Sequence, residues 1–468
     1  MEIGIPPFVL AAAALLACSA CSGDPAPTPA ATPPSPPLAS ASAEPPAPPV
    51  AIASVSASAA VVPSAAPSAA PAAGPLQAPP GKLNVLLITI DSLRADMPWN
   101  GYPREIAPVM SAFEKTAVSY THAYSISSYT AMSLGGLLGG RYPGEMERSG
   151  YFFSNYPNSV RMFPEALQEA GIRTMAGHAH FYFDQTAGFR QGFDDYQIVP
   201  GLTTDKKTDG NITSPQLLEM AKKMLSDKAN TSKTFFAWFH FLDPHDQYMP
   251  HAGIGPYGKT ARDKYDAEVT FVDQHVGKLL EFVDQQPWGK DTAVVISSDH
   301  GEAFGEHKMH RHGFEIYEML VRVPLMIRAP GITPRRIDTP RSAIDLPPTF
   351  LELTGAKPEA AFQGKSLVPE MYGKPPEERD VIVDLPRTSD NDRRRAVIHG
   401  HYKLISFGDD DAFRLYDLVA DPLESDDLER KNPAVFEDMK KRYKGAAIKD
   451  ICPKHTEKLK DKKKTKKC

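Results

Sequence analysis

The sequence predicts an α/β fold: a mainly parallel central sheet with helices on both faces, plus a small C-terminal antiparallel sheet subdomain. Three observations predict it. Short apolar runs, Leu83–Ile90, Thr234–Phe241 and Thr292–Ser297, recur between segments of helical period. Each run is apolar at successive rather than alternate residues, as a strand buried on both faces requires. Beyond residue 370 the texture changes, and Ala396–Ile405 and Phe413–Tyr416 read as short strands of a separate antiparallel sheet.

Taken from the start, residues 1–21 form a targeting segment. Phe8–Ala17 is too short to span a bilayer but suits the apolar core of a secretory signal. Leu15-Leu16-Ala17-Cys18 resembles a bacterial lipobox, whose cysteine is acylated after cleavage. Cys21 is a second candidate, and a cleaved signal without lipid is the alternative. No Lys or Arg precedes Lys82, so the usual positive n-region is missing. Residues 22–81 are rich in Ala, Pro and Ser, with Asp24 and Glu44 as their only charges, and read as an extended tether. This layout predicts an exported protein of the bacterial cell envelope, attached to the membrane by an N-terminal lipid anchor.

The main domain is expected over 82–370 and the small-sheet subdomain over 371–450. Helical period marks Met162–Ala170, Pro215–Leu225 and Ala261–Phe282. A further helix is expected to begin near Thr130, and Gly135, Gly136, Gly139 and Gly140 would destabilise it unless it packs tightly on the sheet. Residues 451–468 form a basic tail, with eight lysines against two acids from Pro453 onward. It reads as solvated, with contact to anionic envelope polymer as the second reading.

Composition excludes several chemistries. The net charge of −5 gives no reason to expect nucleic acid as a partner. The four cysteines stand at 18, 21, 452 and 468, so the core holds no thiol for a nucleophile or a zinc-thiolate site.

What remains is oxygen and imidazole chemistry at strand ends, where α/β sheets place their ligands. Asp299-His300-Gly301 stops the third apolar run, and Asp91 closes the first. Either carboxylate could instead cap a following helix. Thr130 stands at an expected helix start, where free N–H groups suit an anion, although threonine is also a common N-cap. His245 follows the second apolar run. Histidines 307, 310 and 312, interleaved with Glu302 and Glu306, make the next loop dense in metal and anion ligands. Together Asp91, Thr130, Asp299 and His300 suit one divalent cation, Mn, Mg, Ca or Zn, that lowers the hydroxyl's pKa. His245 and His312 could then bind the ester oxygens or protonate the leaving group.

These residues carry a resemblance to the sulfatase family of the alkaline phosphatase superfamily, running from Lys82 to Leu428. Its landmarks are the strand ending in Asp91, TAMSLGGLLGGRYP from Thr130, DPHDQY from Asp243 and SDHGEAFGEH from Ser298. YEMLVRVPLMIRAPG, DLPPTFLELTGA, HYKLI and LYDLVADPLE follow in the family's order. Counting back from Gly-Arg-Tyr-Pro143, the family's Cys or Ser nucleophile falls on Thr130. The family oxidises that residue to formylglycine and follows it with Pro and Arg, where this chain has Met132 and Leu134. Threonine cannot yield the aldehyde, so the chain is similar instead to threonine-using branches that handle phosphoesters. The expectation is a metal-dependent hydrolase or transferase cleaving phosphate or sulfate esters of a small molecule or an envelope polymer, with Thr130 as nucleophile. A sulfuric ester hydrolase without formylglycine and a non-catalytic envelope-binding protein on the same fold are the alternatives.

Overall fold

A computed structural model describes residue 79 and residues 81–184, 187–202 and 212–453. The lipobox, nearly all of the tether and the tail from residue 454 lie outside the described residues. No described helix is long and apolar enough to cross a membrane.

Eight strands make the central sheet: β1 (Asn84–Ile90), β2 (Val118–Tyr120), β3 (Arg173–His178), β4 (Asp195–Ile198), β5 (Phe235–Phe241), β6 (Thr292–Ser298), β7 (Leu325–Arg328) and β8 (Arg335–Ile337). Their spatial order is β8-β2-β7-β6-β1-β5-β3-β4, and β7 is the one antiparallel member among them. The continuous apolar runs are explained by two covered faces. Val85, Leu87, Phe236, Trp238 and Val295 point to one core, shared with α2 (Thr130–Gly139), α3 (Phe163–Glu169) and α6 (Leu346–Thr354). Their alternates Leu86, Ile88, Ala237, Phe239 and Val294 point to a second core under α1 (Pro108–Glu114), α4 (Ser214–Ser226) and α5 (Ala261–Asp284). A strand side chain changes face at every residue, so both parities must be apolar.

α5 starts where Thr260 and Asp263 form a capping box, each side chain accepting from the other's backbone N–H. α2 is buried along almost its whole length, as its glycines demand. A Cβ on Gly135 would stand 2.2 Å from the Tyr156 ring, so only glycine lets that ring cross the helix.

The C-terminal strands β9 (Val381–Leu385), β10 (Arg394–His399), β11 (Tyr402–Phe407) and β12 (Ala412–Asp417) form an antiparallel meander. The expected run Ala396–Ile405 is thus two strands, joined by a turn at Gly400 and His401. Val383, Ala396 and Ile405 join the first core, whereas Ile382, Val397 and Leu404 pack on α7 (Pro433–Gly445).

Candidate active site

The site is assembled at the carboxyl ends of β1 and β6. These neighbours pair in parallel with Ile90 opposite Ser298, so Asp91 and Asp299 occupy equivalent places one residue beyond. Neither caps a helix. The Asp91 backbone N–H extends the ladder to Phe241 O at 2.9 Å, and Ser92, in the left-handed region at φ 59°, turns the chain away. Ser298 ties the two strand ends together: its hydroxyl donates within the turn and accepts from Leu93 N at 3.0 Å.

Asp91, Asp299 and His300 are all buried and each offers a ligand atom, these atoms lying within 4.8 Å of one another. His300 Nδ1 lies 2.9 Å from Gly301 O, which accepts its proton and leaves Nε2 with a lone pair for the cluster. Burial, reinforced by His312, pushes the His300 pKa down to about 3, so the ring is neutral at ordinary pH. Asp299 Oδ1 accepts from Ser92 N and His300 N, but its buried Oδ2 receives no hydrogen bond. Burial and the Asp91 charge push Asp299 well above the usual carboxylate range. At Asp91 burial acts in the same direction, but His245 and the His240 hydrogen bond outweigh it and hold the group well below that range. Two adjoining buried carboxylates, an orphaned oxygen and a neutral imidazole nitrogen are a donor set that fits a hard or borderline divalent cation.

Thr130 is the first residue of α2, not its N-cap, which is Tyr129 without a side-chain cap bond. Its hydroxyl is therefore not spent on capping. Oγ1 lies 3.3 Å from Asp91 Oδ2 and 3.2 Å from His300 Nε2, at a helix end whose first N–H groups lack intrahelical partners.

His312 and His245 flank this cluster, with ring centroids 4.2 Å apart for His300–His312 and 5.0 Å for His245–His312. His312 Nδ1 lies 3.2 Å from Glu302 Oε1, and His245 Nδ1 lies 2.8 Å from Asp246 O, so each ring is oriented through one nitrogen. The Glu302 carboxyl is held below its usual range because His312 beside it outweighs burial. The structure thus brings all six sequence-predicted residues together.

The wider expectation for the 302–312 loop needs correction. His307 stacks on Tyr317 and bonds Leu423 O at 2.8 Å, His310 is exposed, and Glu306 pairs with Arg94 at 2.8 Å. His307 and Arg311 adopt positive φ, and Arg311 pairs with Asp246. Asp243 of DPHDQY is likewise engaged elsewhere, at the start of α4, where it accepts from Ser214 N at 2.7 Å.

One member of the site is absent from the sequence reading. His240, inside β5, places Nε2 3.3 Å from Asp91 Oδ2 and Nδ1 2.7 Å from Thr89 Oγ1. Trp238 Nε1 donates to the same Thr89 oxygen, so the threonine proton goes to Nδ1 and His240 Nε2–H donates to Asp91.

The sulfatase family model matches residues 83–356, more than half of the chain, and the model described as N-sulphoglucosamine sulphohydrolase, C-terminal, matches 305–449. The chain belongs to the sulfatase family. It is a hydrolase of the sulfate-ester-cleaving class that this family comprises. Choline-sulfatase of Rhizobium meliloti (strain 1021) is 26% identical over 75% of this chain and 83% of its own. The solved structure of Ps i-CgsB in complex with k-i-k-neocarrahexaose shares the fold at TM-score 0.66 and 22% identity, covering 80% of this chain and 94% of that one. The phosphonate monoester hydrolase of Agrobacterium radiobacter does so at TM-score 0.66 and 17% identity, covering 78% and 95%. Against the sulfatase pattern, Met132 and Leu134 stand where proline and arginine are expected, and both side chains are buried in the first core. α2 therefore brings no guanidinium to the site.

Proposed function

We propose that this sulfatase-family protein is a metal-dependent esterase whose nucleophile is Thr130 and whose preferred substrate is a phosphoester. The observation that carries this reading is the Thr130 hydroxyl, uncommitted to capping and within 3.3 Å of two of the three clustered ligands. Asp91, Asp299 and His300 would hold the divalent cation, which when bound lowers the hydroxyl's pKa and offsets the charge of the oxyanion.

Thr130 Oγ1 gives its proton to solvent water and attacks phosphorus. The Oγ1–P bond forms, the bond from phosphorus to the alcohol oxygen breaks, and His312 or His245 hands that oxygen a proton. N–H groups at the start of α2 take up charge on the transferred group. Water, or an acceptor alcohol, then gives a proton to the same histidine and attacks phosphorus; the Oγ1–P bond breaks and Thr130 Oγ1 takes a proton from solvent. Phosphate is preferred over sulfate because a sulfothreonine lacks the elimination route that a formylglycine hydrate provides. The names of the sulfatase relatives favour the second reading, a sulfate ester.

A panel of aryl phosphomonoesters, phosphodiesters, phosphonates and sulfates, each with several divalent metals, tests both readings. We expect phosphoester turnover to exceed sulfate turnover and a slow substrate to leave phosphate on Thr130. Faster sulfate turnover, or phosphate mapped to another residue, would overturn the assignment.

The Cys18 motif and the Ala/Pro/Ser tether support an exported, lipid-anchored form acting on a small-molecule or envelope-polymer ester. The intact mass of the mature chain checks it: a mass without acyl groups on Cys18 or Cys21 removes the anchor.

A further inference from the structure

A wall of aromatic rings rises directly beside the cluster. Tyr129, the residue before Thr130, stacks on Phe152 with centroids 4.2 Å apart and planes 12° from parallel. Phe152 stacks in turn on Phe314 at 5.9 Å, and Phe153 stands edge-on to Phe152 at 5.6 Å. Phe314 lies two residues beyond His312, so the wall bridges the start of α2 and the His312 turn. Gly313 makes this approach feasible: at φ +93° a Cβ there would stand 2.7 Å from Phe152 Cζ.

Phe153 is 50% exposed and Phe314 52% exposed, so two phenyl rings at the site's edge are left half in water. Two half-exposed rings packed on Phe152 beside the cluster give an incoming group an apolar face to lie against. The loop presenting it is held in shape. Ser149 N donates to Asn155 O at 2.9 Å, Ser389 N donates to Gly150 O at 2.8 Å, and the Ser154 hydroxyl donates to Tyr151 O at 2.7 Å. A preorganised loop loses little freedom when its rings are covered. Phe152, Phe153 and Phe314 carry no hydrogen-bonding atom, so these three rings offer ring contact and nothing to satisfy hydroxyls.

We infer that Phe152, Phe153 and Phe314 hold the alcohol portion of the ester, and that this portion is a large, flat, apolar group rather than a sugar or other polyol. The inference rests on the reading of Thr130 as the reacting centre. In it the oxyanion lies on the Asp91–Asp299–His300 side and the ring system of the alcohol lies against the wall.

Calorimetric binding of 2-naphthylphosphonate, methylphosphonate and glucose 6-phosphate to the full chain in excess Mn2+ tests it, the two phosphonates having no ester bond to cleave. Naphthylphosphonate should bind at least tenfold tighter than the other two. Phe153→Ala and Phe314→Ala should each weaken it by about tenfold and leave methylphosphonate unchanged. Both rings are half exposed, and an unchanged thermal melt would verify that each variant folds. Equal affinity for the naphthyl and methyl probes, tighter glucose 6-phosphate binding, equal losses on both phosphonates, or no binding of any probe would overturn the inference. Failure of the nucleophile reading looks different: Thr130→Ala would retain turnover while the naphthyl preference stood.

Discussion

Two buried charge clusters in this molecule are built on opposite principles. At the junction between the C-terminal sheet and the main core, Lys403 Nζ lies 3.1 Å from Glu318 Oε1 and 2.9 Å from Glu424 Oε1, all three side chains buried or nearly so. Its cation is part of the chain. At the strand ends, Asp91 and Asp299 adjoin each other with neutral His300 between them and no lysine or arginine paired to either carboxylate among the described contacts. The first cluster sets one built-in cation between two carboxylates and holds two parts of the fold together. The second carries surplus negative charge that the fold alone would not retain, because desolvation and like-charge repulsion both oppose it. A cation supplied by the chain itself, not charge burial, is what separates the two clusters.

The contrast is probed first where the expected effect is largest. Thr130→Ala should lower kcat for the best phosphoester by at least about 10^3 with an unchanged melt, while Ser133→Ala, one turn deeper, should lower it far less. Equal losses in the two variants would sever the hydroxyl from the chemistry. Next, Lys403→Met should destabilise the protein by about 3–5 kcal/mol in denaturant titration, because it leaves two buried carboxylates without their cation. A loss under about 1 kcal/mol would mean the Lys403 cluster contributes little.

Asp299→Asn should act in the reverse sense. It should weaken cation binding by at least about 100-fold, read by elemental analysis after dialysis, yet leave the metal-free protein as stable as the wild type or more so. Equal metal retention by variant and wild type would remove the proposed ligand set. The smallest effect belongs to Glu424. Burial raises its pKa to about 7 from 4.5 even though Lys403 opposes the rise. Between those values the folded state binds more protons than the unfolded one, so stability is fully present below about pH 4.5 and falls as pH rises through 7. Thermal melts should show a loss on the order of 1 kcal/mol across that window, absent in Glu424→Gln. A variant with the wild-type slope would place the titration elsewhere.

How much of this was legible beforehand depended on the kind of signal. Asp91, Asp299 and His300 could be read because each interrupts or closes a long apolar run, and a polar residue there must be doing something other than packing. Thr130 could be placed only by register with a family motif, since its hydroxyl is chemically indistinguishable from those of Ser127, Ser128 and Ser133. His240 was hidden inside β5. Only the sheet order, which puts it opposite Thr89 and beside His178, reveals that it faces Asp91. A polar penultimate residue in both β1 and β5 was the one clue. The loop histidines misled because sequence spacing says nothing about positive-φ turns such as that at His307. The short strands β2, β7 and β8 span three or four residues, too few to display a period, so the single reversed strand could not be foreseen.

The register of β1 against β6 has a further consequence. The two carboxylates are spaced by a backbone ladder in the middle of the sheet, not by loops that could breathe. The sheet acts as a ruler: the two strand ends cannot separate without breaking the ladder between them. The spacing of the two proposed ligands therefore inherits the lifetime of the most protected part of the molecule, whether or not a cation is bound.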